Sequence, residues 1–321
     1  MGTSSPNPDL VGDLFWGIFK PQWIRLALTL DVFTPLAAAG PASAEQVARA
    51  CQCDAFAIGA LLDYFCAVHI LERRGDLYAL TPTAETFLVR GRKAYAGDMV
   101  LDYTSPAIFD SILNSIRTGK PRSLNENFVQ DAWLESYSAW RISKSLEMWR
   151  AAGISTENPL RILDIACGCA IKSLALAQAS PNVHVTCLDA SEVLEVAHDL
   201  AGRMAVSAQA TFLPADLFTA NLGAEEFDAV LVGQITHYLT AGQNKDLFRR
   251  IYAALTKDGT LVIDCPMMGD APGESASFLT LVLWANGGGA AHSFETYRAW
   301  LEEIGYQRIK SLSERWLAAG K

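Results

Sequence analysis

From Asn158-Pro159 onward the chain alternates short apolar runs with amphipathic ones, and this rhythm restricts the fold more than any other feature of the sequence. Strand-type runs occupy 161–166, 183–189, 210–216, 227–233 and 260–265, separated by helix-type runs at 171–178, 193–203 and 243–255. Ser293 opens one more helix to about residue 304, and 306–321 has room for a terminal strand pair. Parallel neighbours cannot be joined by a tight turn; each needs a crossover, usually a helix. The alternation therefore predicts an α/β unit with a parallel sheet covered on both faces.

The preceding half reads differently. Residues 1–13 form a polar tail, and 14–85 are mostly helical with short breaks. Apolar residues at Trp23, Leu26, Ala27, Leu30 and Phe33 mark one helix face over 23–39, ended by Gly40-Pro41. Ser43-Ala44-Glu45-Gln46 has the form of a capping box and starts a short helix, and Asp54 caps the next, to about His69. Residues 70–80 then read as two strands around Gly75-Asp76, the outline of a winged helix. Residues 94–153 are helical, rich in aromatic residues and broken at Gly119-Lys120-Pro121-Arg122. The expected division is 1–93, a winged-helix-like module; 94–155, connecting helices that contribute to a substrate pocket; and 156–321, the α/β domain.

Charge narrows the partners. The net charge is −9, and residues 43–93 carry six basic and six acidic residues. The would-be recognition helix, 54–69, has no Lys or Arg, so it lacks the side chains that contact phosphates and guanine. Packing or pairing of two copies suits this module better than nucleic acid. With half its residues hydrophobic and 19% charged, the chain has the composition of a folded globular protein. No apolar run approaches the length of a membrane span, and the N-terminus lacks the basic and apolar regions of a signal peptide. Seven scattered cysteines read as reduced thiols, hence a cytoplasmic protein with no membrane partner.

Ligands of open α/β sheets bind beyond the carboxyl ends of the strands. The first strand runs into Asp164-Ile165-Ala166-Cys167-Gly168-Cys169-Ala170, whose small residues let a ligand approach the backbone. The second ends in Asp189, which can accept from ribose hydroxyls. The third ends in Asp216-Leu217-Phe218, an acid for an adenine amino group and two apolar residues for its ring. The loop lacks the G-x-G-x-x-G of dinucleotide sites and there is no P-loop, which disfavours NAD. The C-x-C at 167–169 matches no common zinc spacing, so no metal is expected.

The loop at 163–170 resembles the glycine-rich motif of class I S-adenosylmethionine (SAM)-dependent methyltransferases. From about Trp23 to the C-terminus the chain is similar to the small-molecule O-methyltransferases that carry an N-terminal dimerisation domain. These include plant caffeate-type and acetylserotonin-type enzymes and bacterial antibiotic O-methyltransferases. The resemblance rests on the segment ending Tyr78-Ala79-Leu80-Thr81, the Asp164 loop, Asp189, Asp216, the Lys257-Asp258-Gly259-Thr260-Leu261 turn and the closing helix at 294–306. It implies a Rossmann-like sheet, a homodimer, SAM as cofactor with S-adenosylhomocysteine (SAH) as product, and a small aromatic or polyketide-like acceptor. It further implies that Asp164, Ala166, Cys167, Gly168, Asp189, Asp216, Leu217, Phe218 and Gln234 line the cofactor site. The sequence departs from the family pattern at Ala166 and Ala170, where Gly is frequent.

Methyl transfer to a hydroxyl needs alignment of donor and acceptor and removal of a proton. Of five histidines, His69, His184 and His198 read as structural or exposed. His237 follows the fourth strand at the ligand edge, and in the resembling family this position holds the general base. Asp264, late in the fifth strand, matches a family acid that orients the base. A further family acid falls near Ala291 and is missing, with His292 beside it. Trp140, Trp284, Asn286 and His292 are the expected acceptor contacts; by resemblance the segment 278–292 faces the acceptor, and the alternative is a plain loop. Two other readings stay open: C- or N-methylation or non-methylating chemistry on the same scaffold, and a ligand-sensing winged-helix regulator.

Overall fold

The computed structural model describes residues 7–121, 128–268, 274–285 and 289–321. The chain divides into two compact units, Met1–Asp110 and Ser111–Lys321. The division falls inside the helix Pro106–Thr118, within the segment that the sequence assigns to connecting helices.

The first unit is helical apart from one hairpin. Its helices include Phe19–Thr29, Phe33–Ala39, Ala44–Cys51 and Ala55–Ala67, followed by strands β1 (Leu71–Arg74) and β2 (Leu77–Leu80). Leu28, Phe33, Leu36, Ile58, Leu62 and Phe65 fill the core, with the rings of Phe33 and Phe65 edge to face at 5.6 Å. The capping box forms: Ser43 N donates to Gln46 Oε1 at 2.7 Å, and Gln46 N donates back to Ser43 Oγ at 3.4 Å. Asp54 caps as expected, its Oδ1 accepting from Ala57 N at 2.9 Å. The single helix over 23–39 does not form. The chain breaks at Asp31, whose φ is 54°, and restarts at Phe33. Pro35 is the cause: in a continuous helix its ring would strike the carbonyl of Asp31 and it has no N–H to give it.

The second unit is built on a seven-stranded sheet. Its strands are β3 (Leu160–Ile165), β4 (Val183–Asp189), β5 (Ala210–Pro214), β6 (Phe227–Gly233), β7 (Leu255–Asp264), β8 (Gln307–Ser311) and β9 (Trp316–Gly320). The order is β5-β4-β3-β6-β7-β9-β8. The first five are parallel, as the alternation requires. The terminal pair is antiparallel, so the sheet is mixed and not wholly parallel. Residues 306–321 have no crossover helix between their two strands, and a short turn can join only antiparallel neighbours. Ile162, Val230, Leu231, Val262 and Ile263 are wholly buried, as strands covered on both faces must be. The segment 278–292 is not a plain loop throughout: it begins inside the helix Glu274–Ala285.

Two connections position the ligand edge. Trp149, wholly buried on the helix Trp140–Ala151, donates its indole N–H to Lys172 O at 2.9 Å and ties that helix to Ile171–Ala179. Asn244, wholly buried on the helix Ala241–Ala254, donates through Nδ2 to Thr236 O at 2.9 Å and Leu239 O at 3.2 Å. These two bonds strap down the short turn Thr236–Tyr238, which carries His237. A second capping box, Thr240 with Gln243, starts the Asn244 helix two residues before the sequence pattern suggests. Asn244→Ala should strand two buried carbonyls and cost about 1–2 kcal/mol, at the lower end for such losses because it also removes a buried unpaired Oδ1. Urea unfolding of the variant against the wild type measures this.

Candidate active site

A cavity of about 490 Å³ opens at the carboxyl ends of β3, β4 and β6. Its central wall is the loop after β3. Ala166, Gly168 and Ala170 all adopt left-handed φ, at 51°, 57° and 56°. Alternating left-handed residues turn the chain sharply, so the following helix points its amino end at the cavity. A Cβ built on Gly168 would meet nothing within 4 Å, which is open space of the kind a ligand fills. Ala at 166 and 170 takes this backbone path at a conformational cost that Gly avoids.

Asp189 ends β4 against this loop. Its Oδ2 accepts from Gly168 N at 2.9 Å and its Oδ1 from Ala190 N at 2.8 Å. Burial outweighs those bonds and raises its carboxyl above the usual range. Asp164 is wholly buried one layer down, where Ser173 Oγ donates to it at 2.6 Å. Burial pushes its carboxyl to about 7, while Ser173 and Lys172 pull the other way. Gln234 lines the same cavity with left-handed backbone, its N–H donating to Asp264 O at 2.8 Å.

His237 closes the β6 side. It is 3% exposed, lines the cavity, and lies 4.3 Å from the Tyr238 ring, tilted 50° to it. Its carbonyl accepts from Ala290 N at 3.0 Å, and a Cβ on Gly289 would lie 2.2 Å from that same oxygen. Gly289 is therefore required by close backbone approach. Burial first, then the charges of Arg315, His292 and Lys172, push the imidazole down to about 4.

The expected bond between Asp264 and His237 is absent among the described contacts. Asp264 Oδ2 is held by Lys172 Nζ at 2.7 Å and Oδ1 by Arg315 at 3.4 Å. A buried carboxylate pairs with the cations it can reach, and Lys172, 14% exposed, reaches it past Gly233. The His237 Nδ1 partner is instead the next residue in β7's path, Cys265, with Sγ at 2.9 Å.

The other expected site residues lie outside the cavity lining. Asp216 Oδ1 accepts from Phe218 N at 2.8 Å and Thr219 N at 3.1 Å, capping its own turn beyond the end of β5. Leu217 packs on the core and Phe218 is half exposed. Trp140 is exposed, with the Arg141 guanidinium 5.1 Å from its ring. His292 packs edge-on against Tyr297 and Trp300, and Trp284 lies in the last turn of the helix Glu274–Ala285. Asn286 lies outside the described residues.

Glu135, Arg141, Lys172 and Cys265 are among the lining or supporting residues that the sequence does not single out. Arg141 pairs with Glu135 at 3.1 Å, yet its buried Nε has no partner. The signal for Lys172 was a charge in the first turn of an otherwise apolar helix. Replacing Ala170 by Gly should relieve its left-handed strain and stabilise the protein by about 0.5–1 kcal/mol. Thermal unfolding of Ala170→Gly, with Ala166→Gly as a second case, reads this as a raised Tm.

Residues 13–90 match a family model described as an O-methyltransferase dimerisation domain, and 162–259 match one described as a methyltransferase domain. The chain is 24% identical to the 3-hydroxy-5-methyl-1-naphthoate 3-O-methyltransferase of Streptomyces sahachiroi over 95% of this chain and 91% of that protein. It is 27% identical to the N,N-dimethyltransferase OxyT of Streptomyces rimosus over 92% of this chain and 90% of that protein. The fold is that of the human N-acetylserotonin methyltransferase crystallised with SAM, with a TM-score of 0.69 at 19% identity over 100% of this chain and 99% of that one. Two matched domains in this order, and relatives aligned along nearly their whole length, identify the chain as a SAM-dependent O-methyltransferase with an N-terminal dimerisation domain.

Proposed function

We propose that the cavity holds SAM beside a small aromatic acceptor and that His237 removes the acceptor's hydroxyl proton. The observation that carries this reading is the placement of Gly168, Asp189 and His237 around one cavity at the strand ends. SAM supplies a methyl group made electrophilic by its sulfonium. The chain's own residues fit it. The open space over Gly168 admits a close approach, and Asp189 keeps carboxylate lone pairs for ribose hydroxyls. Arg141 and Glu135 form a matched pair for an α-ammonium carboxylate, and the unpartnered Nε of Arg141 is a donor in want of an anion. Asp216, Leu217 and Phe218 remain the candidates for the adenine end, outside the cavity proper.

His237 is suited to its task by being neutral. Burial, then Arg315, His292 and Lys172, disfavour its charged form, so a lone pair is present at physiological pH. The acceptor class follows the naphthoate relative, whose named reaction is on a ring hydroxyl. OxyT favours the competing reading, N-methylation, in which alignment alone suffices and His237 matters little. The first unit is the pairing element of a homodimer: Val11, Leu14, Phe15 and Trp16 on the helix Pro8–Gly17, and Ile18 just after it, are all more than half exposed. All seven cysteines are free, in keeping with a reducing cytoplasm.

Titration calorimetry separates the two ends of the cofactor. Arg141→Met should weaken SAH binding roughly tenfold or more while leaving 5′-methylthioadenosine, which lacks the amino-acid end, unchanged. Equal weakening of both would remove Arg141 from that role. For the base, His237→Ala should lower turnover at least about a hundredfold with SAH affinity preserved. Undiminished turnover would favour the alignment-only reading. The acid limb of kcat/KM should fall near pH 4, not near the usual histidine value of 6.5. Because the folded value is depressed, stability from this group is full above about 6.5 and is lost as pH falls through 4.

A further inference from the structure

A small buried polar cluster, whose members are not among the cavity-lining residues, meets His237 at Nδ1. Cys265, wholly buried, places Sγ 2.9 Å from His237 Nδ1. Its backbone is held in turn, the N–H donating to Arg315 O at 2.8 Å. Thr236 and Tyr297, both wholly buried, put their hydroxyl oxygens 2.7 Å apart, and both hydroxyls favour the charged form of the same thiol. The nearby carboxylate of Asp264 is taken by Lys172 and Arg315. The imidazole therefore has sulfur where a carboxylate would ordinarily orient it.

We propose that Cys265 is a positioning residue for His237: its sulfur accepts the Nδ1–H, its own S–H goes to the Thr236–Tyr297 hydroxyl pair, and the Nε2 lone pair is left facing the cavity. The inference rests on the reading of His237 as the base. A neutral imidazole has one N–H and one lone pair, and the partner of one nitrogen decides which is which. The buried thiol stays protonated, since burial raises it, and has one proton to place. Given to Nδ1, that proton would force the imidazole proton onto Nε2 and leave nothing there to accept from a substrate. The hydroxyl pair removes this conflict. Two oxygens sharing one mutual bond retain lone pairs for the S–H.

The test uses the full chain with bound SAH and ¹⁵N-labelled histidine, the His237 signals being those lost in His237→Asn. The expected wild-type pattern is a protonated Nδ1 and an unprotonated Nε2. Cys265→Ala should mix the two tautomers and lower kcat roughly tenfold at unchanged SAH affinity. Cys265→Ser, which keeps an acceptor and a donor, should restore the wild-type pattern and most of the turnover. It also carries the test if the alanine variant does not fold. A protonated Nε2 in the wild type, or an unchanged pattern in both variants, would overturn the proposal. If the tautomer shifts in Cys265→Ala while His237→Asn keeps full turnover, the positioning by sulfur stands and the reading of His237 as base falls.

Discussion

The reversal of strand order at β3 governs everything chemical in this protein. From β3 the chain lays down β4 and β5 to one side, then returns to lay β6 and β7 on the other. The two sets of crossovers leave the sheet in opposite directions, and no connection covers the carboxyl ends of β3 and β6. A crevice there is a consequence of topology. The loop after β3, Asp189 at the end of β4, the His237 turn after β6 and Asp264 at the end of β7 meet in it because parallel strands end on the same edge.

Within that crevice burial is the dominant electrostatic influence. It raises Asp164 and Asp189, lifts the thiols of Cys169 and Cys265, and lowers His237. Asp264 is the exception, held below the usual range because two cations reach it. The outcome is a site in which the His237 imidazole is neutral and the Asp264 carboxylate is already paired. Removal of Asp264 would leave the mostly buried Lys172 ammonium uncompensated, and removal of Lys172 would leave the carboxylate to Arg315 alone. Backbone demands are as strict as the electrostatic ones: three left-handed residues shape the cofactor loop, and Gly289 lies against the His237 carbonyl with no room for a side chain.

Local chemistry was legible where a single stretch of chain contains both partners. The Ser43 and Asp54 caps, the Gly75-Asp76 hairpin, the five parallel strands and the Ser293 cap follow from short-range rules. The helix over 23–39 was misread because Pro35 was not weighed against the carbonyl four residues earlier, a signal present in the sequence. The terminal strands escaped the parallel expectation for a similar reason: their short connection forbids a crossover.

By itself the sequence determined the alternating architecture, the ligand edge and the identity of Gly168, Asp189 and His237 as residues meeting there, because periodicity and strand ends are properties of consecutive residues. Only the tertiary structure decided which groups touch. Lys172 and Arg315 converge on Asp264 from different elements, and Cys265 replaces that carboxylate at His237 Nδ1. Arg141, whose buried Nε has no partner, lines a cavity together with loops far from it in the chain. Such pairings depend on distances of a few ångströms between segments that the chain separates widely, and hydrogen bonds and ion pairs are decided at that scale.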